Sequence, residues 1–269
     1  MPSSPRPDPA QGVFETLLVV EGEPIELDAH MARLTASLKA LFGAALPSGA
    51  RDLVRERAEG LALGRLRLTV APGEAALTPI APGGADLTSA VVTAAVDPAL
   101  VFPSRGADLV ELPLDGGLGS HKWADRSPLR GVAEGTVPLL LDRGDEVLEV
   151  GRANVFVSRG GVLMTPAADG RILPGIARSA AIEVAGAAGH EVLERRIYRD
   201  DLFDADEVFL TGSVRGVEPA RSLAGAALPA AGALSRLVAA GLRQRWMGQS
   251  RAAGAPEPAG APPRGRPAR

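Results

Sequence analysis

Two periods of apolar and polar positions alternate along this chain, and each change of period marks an element. Val13 to Val20 is a continuous apolar, β-prone run and predicts a strand, closed by the turn Glu21-Gly22-Glu23-Pro24. Asp28 stands where an N-cap belongs, and Met31, Leu34, Leu38 and Leu41 follow at helical spacing. Residues 28–42 therefore predict an amphipathic helix that stops at Gly43. Lys39 falls off the apolar stripe and reads as a solvated surface charge. Residues 51–63 predict a second helix, residues 65–70 a half-buried strand, and residues 90–96 another strand.

From Gly116 the texture changes. Gly-Gly-Leu-Gly-Ser leads into His121-Lys122-Trp123-Ala124-Asp125-Arg126. Residues 137–150 predict a hairpin around Asp142-Arg143-Gly144-Asp145, and Asn154 to Met164 a second around Arg159-Gly160-Gly161. Leu173-Pro174-Gly175-Ile176 opens a helix that ends near Gly189. Residues 191–197 and 207–211 predict strands, the second running into the loop Gly212-Ser213-Val214-Arg215-Gly216, and residues 232–246 predict a last helix. The pattern gives two α+β units: 11–102 as a smaller one, 103–119 as a glycine-rich joint, and 120–246 as a larger one. Residues 1–10 read as a disordered lead and 247–269, rich in Pro, Ala, Gly and Arg, as a disordered tail.

Composition narrows the chemistry. The formal net charge is −3 and no basic stripe is available to neutralise phosphates, so a nucleic-acid partner is not expected. The absence of cysteine excludes disulfides, thiolate metal sites and cysteine nucleophiles. No apolar run reaches the ~18 residues of a membrane helix, and the Pro-rich start lacks the core of a signal peptide, so a cytoplasmic location is expected. The chain carries 27 arginines and two lysines, Lys39 and Lys122. Where only positive charge is needed, this chain uses Arg. A retained Lys suits a task that a guanidinium cannot perform, such as forming an imine.

Lys122 lies in a loop-to-strand region beside Trp123, where apolar neighbours would lower its pKa; an ordinary surface lysine is the competing reading. Glu149 ends an apolar strand and needs a cationic or N–H partner, which one of the many arginines would also satisfy. Pro174-Gly175-Ile176-Ala177-Arg178 is a helix start with unsatisfied N–H groups, suited to phosphate, and Ser213 is a second donor in a glycine-flanked loop. Arg33, three residues after His30, could offer a guanidinium fork to a phosphate or simply be solvated. His30, His121 and His190 are too scattered for a metal site, and no nucleophile elbow, Walker loop or dinucleotide fingerprint is present.

In order, these segments resemble the class IV aminotransferases, the fold-type IV pyridoxal-phosphate (PLP) enzymes. Gly12-Val13-Phe14-Glu15-Thr16 with His30-x-x-Arg33-Leu34 is similar to the first block of that family, and Lys122 to its imine-forming lysine. Glu149 to Phe156, Thr165-Pro166, Ile172 to Ile176 and Asp206 to Thr211 follow in family order. The resemblance implies a two-domain α+β fold like that of D-amino-acid aminotransferase, with PLP between the domains, and a homodimer. It implies that Lys122 holds PLP and shuttles protons, and that Glu149 keeps the ring nitrogen protonated so that the ring acts as an electron sink. Arg33, the backbone amides of Ile176 and Ala177, and Ser213 would cradle the phosphate, while Phe14, Thr16, Arg126 and Val214 would face a small amino substrate. Two departures stand out. Ala177 occupies a place where many members have Thr, which removes one side-chain hydrogen bond, and the usual extra strand or two before the first block is missing.

The branches of the family differ near the lysine. Branched-chain enzymes place Tyr five residues after it, where this chain has Ser127. D-amino-acid enzymes use an Arg where this chain has Pro72. Lys122-Trp123-Ala124-Asp125-Arg126 is similar to the Lys-x-x-Asn-Arg of 4-amino-4-deoxychorismate lyases, with Asp for Asn. The expected reaction is thus release of pyruvate from 4-amino-4-deoxychorismate to give 4-aminobenzoate for folate synthesis. A transaminase acting on branched-chain or D-amino acids, and a non-catalytic PLP-binding paralogue, are the alternatives.

Overall fold

The run Val13–Val20 is apolar at six of its eight positions because it is buried on both faces. In the computed structural model, which describes residues 6–73 and 87–253, this run is strand β1 (Val13–Val20). Val13, Leu17 and Val19 face one core, and Leu18 and Val20 face another. β1 pairs antiparallel with β2 (Glu23–Pro24) and β3 (Leu63–Pro72), and β4 (Leu87–Ala95) completes a four-stranded sheet in the order β2-β1-β3-β4. Helix α1 (Leu27–Phe42) lays Met31, Leu34 and Leu38 on the first face, where Val54 and Ala58 of α2 (Ala50–Ala58) join them. α1 ends at Gly43, whose φ of 62° is the left-handed conformation that glycine adopts at low cost.

The second face of β1 meets the larger sheet. Its strands are β5 (Ala107–Pro113), β6 (Val137–Asp142), β7 (Glu146–Val150), β8 (Asn154–Arg159), β9 (Val162–Thr165), β10 (Val192–Glu194), β11 (Ile197–Tyr198), β12 (Glu207–Gly212), β13 (Gly216–Leu223) and β14 (Ala226–Ala227). They are ordered β10-β9-β8-β12-β13-β5-β6-β7-β11, with β14 on β13. Alternation splits the side chains between two cores. Leu109, Leu139, Val155, Val157, Val208 and Leu210 fill one, and Phe156 and Phe209, stacked 5.2 Å apart, fill the other. That second core is covered by α3 (Ile176–Ala187) and α4 (Ala233–Ala253) and is shared with Leu18, Val20 and Ile25 of the smaller sheet. Glu207 fixes the start of α4 by accepting from the N–H groups of Gly232, Leu234 and Ser235 at 2.8–2.9 Å.

The α+β pattern of two strand-rich units holds, with corrections of detail. Residues 6–10 of the expected disordered lead are docked: Arg6 donates to the Gly117 and Asp115 carbonyls, and Asp8 N–H to the Asp125 carboxylate at 2.8 Å. Residues 1–5 lie outside the described residues. Asp28 is not the N-cap of α1; Glu26 holds that place in a left-handed conformation, and Asp28 sits in the first turn, paired with Arg51. α2 is shorter than the periodicity predicts. The stretch 103–119, expected as a joint, contains β5, which lies between β13 and β6 and is parallel to both. Residues 191–197 are not one strand: β10 joins β9, and β11 joins β7 at the far end of the order. α4 runs past Trp246 to Ala253, so the tail begins as helix, and 254–269 lie outside the described residues.

Candidate active site between the two sheets

The chain between β5 and β6 carries Lys122, and β1 holds it in place. Phe14 N–H donates to the Lys122 carbonyl at 2.8 Å, and Ala124 N–H to the Gly12 carbonyl at 2.9 Å. Gly12 has φ 76°, and a Cβ there would lie 2.1 Å from the Val70 carbonyl oxygen, so only glycine fits this crossing. Trp123 packs beside the smaller core and donates from its indole to the Leu118 carbonyl at 2.9 Å. These anchors leave the Lys122 side chain facing the cleft, with its amine 5.1 Å from the Phe14 ring centre and no hydrogen bond or ion pair among the described residues. Burial, aided by the nearby Arg33 charge, lowers its pKa from 10.5 to about 8.

Across the cleft, Glu149 on β7 is 6 % exposed. Its carboxyl accepts only long contacts, 3.3 Å each, from Asn154 Nδ2 and the Leu173 N–H. Burial therefore dominates and raises its pKa to about 8, although Leu173, Lys122 and Arg126 pull the other way. A carboxyl so placed is ready to accept a cationic N–H partner. Asn154 also donates to the Leu173 carbonyl at 3.0 Å, tying β8 to the loop that opens α3. That loop ends on Gly175, where a Cβ would lie 2.0 Å from Asn154 Oδ1. Among the described residues no side chain caps α3 and its first turn carries no acid, so its leading N–H groups, on residues that line the cleft, are left unneutralised. Thr211, on the same wall, has a buried hydroxyl with no partner among the described residues.

Arg33 reaches the cleft from α1. Its Nε and Nη2 donate to the two Glu15 oxygens at 2.8 and 2.6 Å, and its Nη1 to the Pro174 carbonyl at 3.0 Å. His30 Nδ1 meets Glu15 at 2.7 Å. Burial would raise the Glu15 pKa, but the Arg33 charge and the His30 and Arg33 hydrogen bonds outweigh it and hold the carboxyl at about 2. Farther along α1, Ser37 meets His121 at 3.0 Å, next to Lys122. His30, Arg33 and Ser37 thus form a polar stripe on α1, at helical spacing, turned toward the cleft.

The inner cleft, about 510 Å3, is bounded by Lys122, Glu149, Arg33, Thr211, Ser213 and the start of α3. It opens into an outer cleft of about 910 Å3 that Phe14, Thr16 and Val214 share with several arginines. Arg152 and Arg215 both pair with Glu218, at 2.6 and 3.1 Å. Arg126 donates to the Gly151 carbonyl and Arg67 stacks 3.7 Å over Phe14; neither these two nor Arg65 has a carboxylate partner among the described residues. Burial lowers the pKa of Arg67, with the Arg65 charge adding to it, and burial likewise lowers that of Arg126.

The cofactor and substrate residues expected from the sequence all line these two clefts: Arg33, Lys122, Glu149, Ile176, Ala177 and Ser213 on the inner, Phe14, Thr16, Arg126 and Val214 on the outer. Sequence reasoning missed four polar participants. Glu15 was read only as part of a block, although a charged residue inside an otherwise apolar strand was the available signal. Asn154, Ser37 and Thr211 gave none. Among the described residues no helix is long and apolar enough to cross a membrane, and no group of three acids or histidines is placed to hold a metal.

The fold and cleft match one family. The profile described as Amino-transferase class IV covers residues 12–118 and 131–223. The chain belongs to the class IV aminotransferases, which are PLP-dependent enzymes. Lys122 lies in the short stretch between the two matched segments, so its place rests on the geometry above. A hypothetical aminotransferase from Mycobacterium tuberculosis superposes with a TM-score of 0.74 at 24% identity, over 93% of this chain and 96% of that one. The 4-amino-4-deoxychorismate lyase of Pseudomonas aeruginosa superposes with a TM-score of 0.69 at 27% identity, over 87% and 91%. Among curated sequences, a chloroplastic branched-chain amino acid aminotransferase of Humulus lupulus is 48% identical over 75 residues, 28% of this chain and 18% of that protein. The branched-chain-amino-acid aminotransferase of Salmonella typhimurium is 39% identical over 87 residues. The matched stretch spans less than a third of either curated relative.

The residues present fit PLP. A nucleophilic amine, a buried carboxyl short of partners, an uncapped helix start and an unpaired buried hydroxyl line one cleft.

Proposed function

We propose that this chain is a lyase that converts 4-amino-4-deoxychorismate to 4-aminobenzoate and pyruvate, the aromatising step that supplies folate synthesis, with PLP as its cofactor. The observation that carries the choice of substrate is the outer cleft: Arg65, Arg67 and Arg126 offer three guanidiniums without carboxylate partners among the described residues. The proposed substrate brings two carboxylates, one on the ring and one on the enolpyruvyl arm. A branched-chain substrate would bring one carboxylate and a hydrocarbon, and would leave one of the half-buried cations Arg67 and Arg126 without a charge partner. The 27% identity to the Pseudomonas lyase over most of both chains supports the same choice.

The roles are those the family resemblance implies, and the lining of the inner cleft supports them. Lys122 would hold the cofactor covalently through Nζ, Glu149 would keep its ring nitrogen protonated, and Arg33, the Ile176 and Ala177 amides and Ser213 would hold its phosphate. When bound, PLP supplies the electron sink for the carbon that carries the substrate amine. Exchange of that link for the substrate amine would free Lys122 Nζ, which would then be placed to take the proton from that carbon and pass it to the departing enolpyruvyl group. Loss of the enolpyruvyl group then leaves an aromatic ring. The overall conversion is a fragmentation that needs neither water nor an oxidant.

The short stretches of high identity to branched-chain enzymes favour a second reading, an aminotransferase, which shares the proton abstraction at Lys122. One assay separates the two. Purified protein with PLP should release equal amounts of 4-aminobenzoate and pyruvate from 4-amino-4-deoxychorismate with no 2-oxo acid present, and Lys122→Ala should lose both products and the visible absorbance of the bound cofactor. Strict dependence on a 2-oxo acid would establish the aminotransferase instead. A protein that takes up PLP but releases no product by either route would be the non-catalytic PLP-binding paralogue, and one that stays colourless in excess PLP would overturn the PLP reading itself.

A further inference from the structure

Glu15 is a fully formed carboxylate, 1 % exposed, in the middle of an apolar strand. A charge so deeply buried is costly unless its lone pairs are met by cations or donors. Here three donors meet it: Arg33 Nε, Arg33 Nη2 and His30 Nδ1, all within 2.8 Å. The arrangement has a directional consequence. A guanidinium carries five N–H donors in one plane. Glu15 takes two of them from the Nε and Nη2 side, and the Pro174 carbonyl takes one from Nη1. Two remain, one on each terminal nitrogen, free of the Glu15 and Pro174 contacts. The Pro174 contact also fixes the guanidinium against the loop that opens α3, whose uncapped N–H groups line the same cleft.

Resting on the reading that PLP binds here, we infer that Glu15, with His30 behind it, is a positioning residue: it sets the plane of Arg33 so that its remaining Nη1 and Nη2 N–H groups and the start of α3 grip the cofactor phosphate together. Glu15 touches neither cofactor nor substrate and acts only through Arg33. His30 fixes the Glu15 carboxylate from the other side. Burial lowers the His30 pKa, so its ring stays neutral and donates one N–H without adding a second charge. The cluster spans the two sheets, since Glu15 is on β1, His30 and Arg33 are on α1, and Pro174 precedes α3.

The test is the affinity of the apo protein for PLP and for pyridoxal, which lacks the phosphate, read by the cofactor's visible absorbance. Wild type should bind PLP far more tightly than pyridoxal. Glu15→Gln should weaken PLP binding by tenfold or more and leave pyridoxal binding within twofold, because only the phosphate grip is lost. In an Arg33→Met background, Glu15→Gln should have no further effect on PLP affinity. His30→Gln, which leaves Glu15 and Arg33 intact, should weaken PLP selectively by a smaller factor and serves if Glu15→Gln folds poorly. An equal loss for both ligands, or an undiminished effect in the Arg33→Met background, would assign Glu15 a merely structural role and overturn the inference. A wild-type protein that binds neither ligand would instead overturn the PLP reading itself.

Discussion

Gly175 shows how closely one residue's chemistry is tied to the site. Its φ is −70°, which any residue can adopt, so backbone freedom is not why glycine stands there. The reason is contact: a Cβ would lie 2.0 Å from Asn154 Oδ1 and 3.2 Å from the Arg178 Cβ. Asn154 cannot retreat without giving up its bonds to Glu149 and to the Leu173 carbonyl. Gly175→Ala should therefore weaken PLP binding by at least tenfold, and Gly175→Ala with Asn154→Ala should recover α3 helix packing but not cofactor affinity. Titration of both apo variants with PLP checks this; unchanged affinity in Gly175→Ala would show that the helix start is not where the phosphate sits. At this scale the sequence was informative where residue type is chemically exclusive. Lys122 is legible because Lys is rare here and Arg cannot replace it. Gly175 is legible as a helix start, but its conflict with Asn154, 21 positions away, needs three dimensions.

Elements were legible wherever one face was buried and less so where a strand's partner decided its length. β1, α1, β6, β8 and α3 follow directly from apolar period. The sequence reading assigns no element to the residues of β13 after the loop Gly212 to Gly216; the strand forms because β12 and β5 flank it on both sides. Its turn carries Ser213, and that turn is held from behind. Gly216, at φ 63°, lies where a Cβ would come 2.3 Å from the Phe102 ring, Phe102 N–H donates to the Arg215 carbonyl at 2.9 Å, and Phe102 packs 5.4 Å from Trp246 of α4. Trp246 is 1 % exposed. Trp246→Ala should cost about 3–5 kcal/mol of stability and, by loosening Phe102, should also weaken PLP binding. Trp246→Phe should recover most of the stability and all of the affinity. Denaturant melts alongside PLP titrations test the pair; a Trp246→Ala protein with undiminished affinity would uncouple α4 from the Ser213 turn.

For the molecule as a whole, the cleft places ionisable groups where the fold disfavours their charge, and stability must then depend on pH. Glu149 titrates near 8 when folded against 4.5 ordinarily. Between those values the folded apo protein keeps a proton that the unfolded chain has released, so Glu149 makes stability fall as pH rises through that window. Lys122 titrates near 8 when folded against 10.5 ordinarily. Above pH 8 the unfolded chain is the one that holds the extra proton, so Lys122 makes stability rise toward 10.5. The two windows abut, and their sum is a trough near pH 8. Glu15, held near 2, acts well away from it, stabilising the fold above its ordinary value of 4.5 and losing that effect as pH falls through 2. The trough should appear as one property of the entire chain, because Leu18 and Val20 of the smaller sheet share a core with Phe156, Phe209 and Trp246 of the larger assembly and the two should unfold together. Urea midpoints of the apo protein from pH 5 to 10 should pass through a minimum near pH 8. Glu149→Gln should flatten the acid limb alone and Lys122→Met the alkaline limb alone. PLP should fill the trough, since it gives Glu149 a cationic N–H partner and occupies the Lys122 amine. An acid limb that persists in Glu149→Gln would mean that the burial of Glu149 is relieved by water and that its carboxyl is ionised before the cofactor arrives.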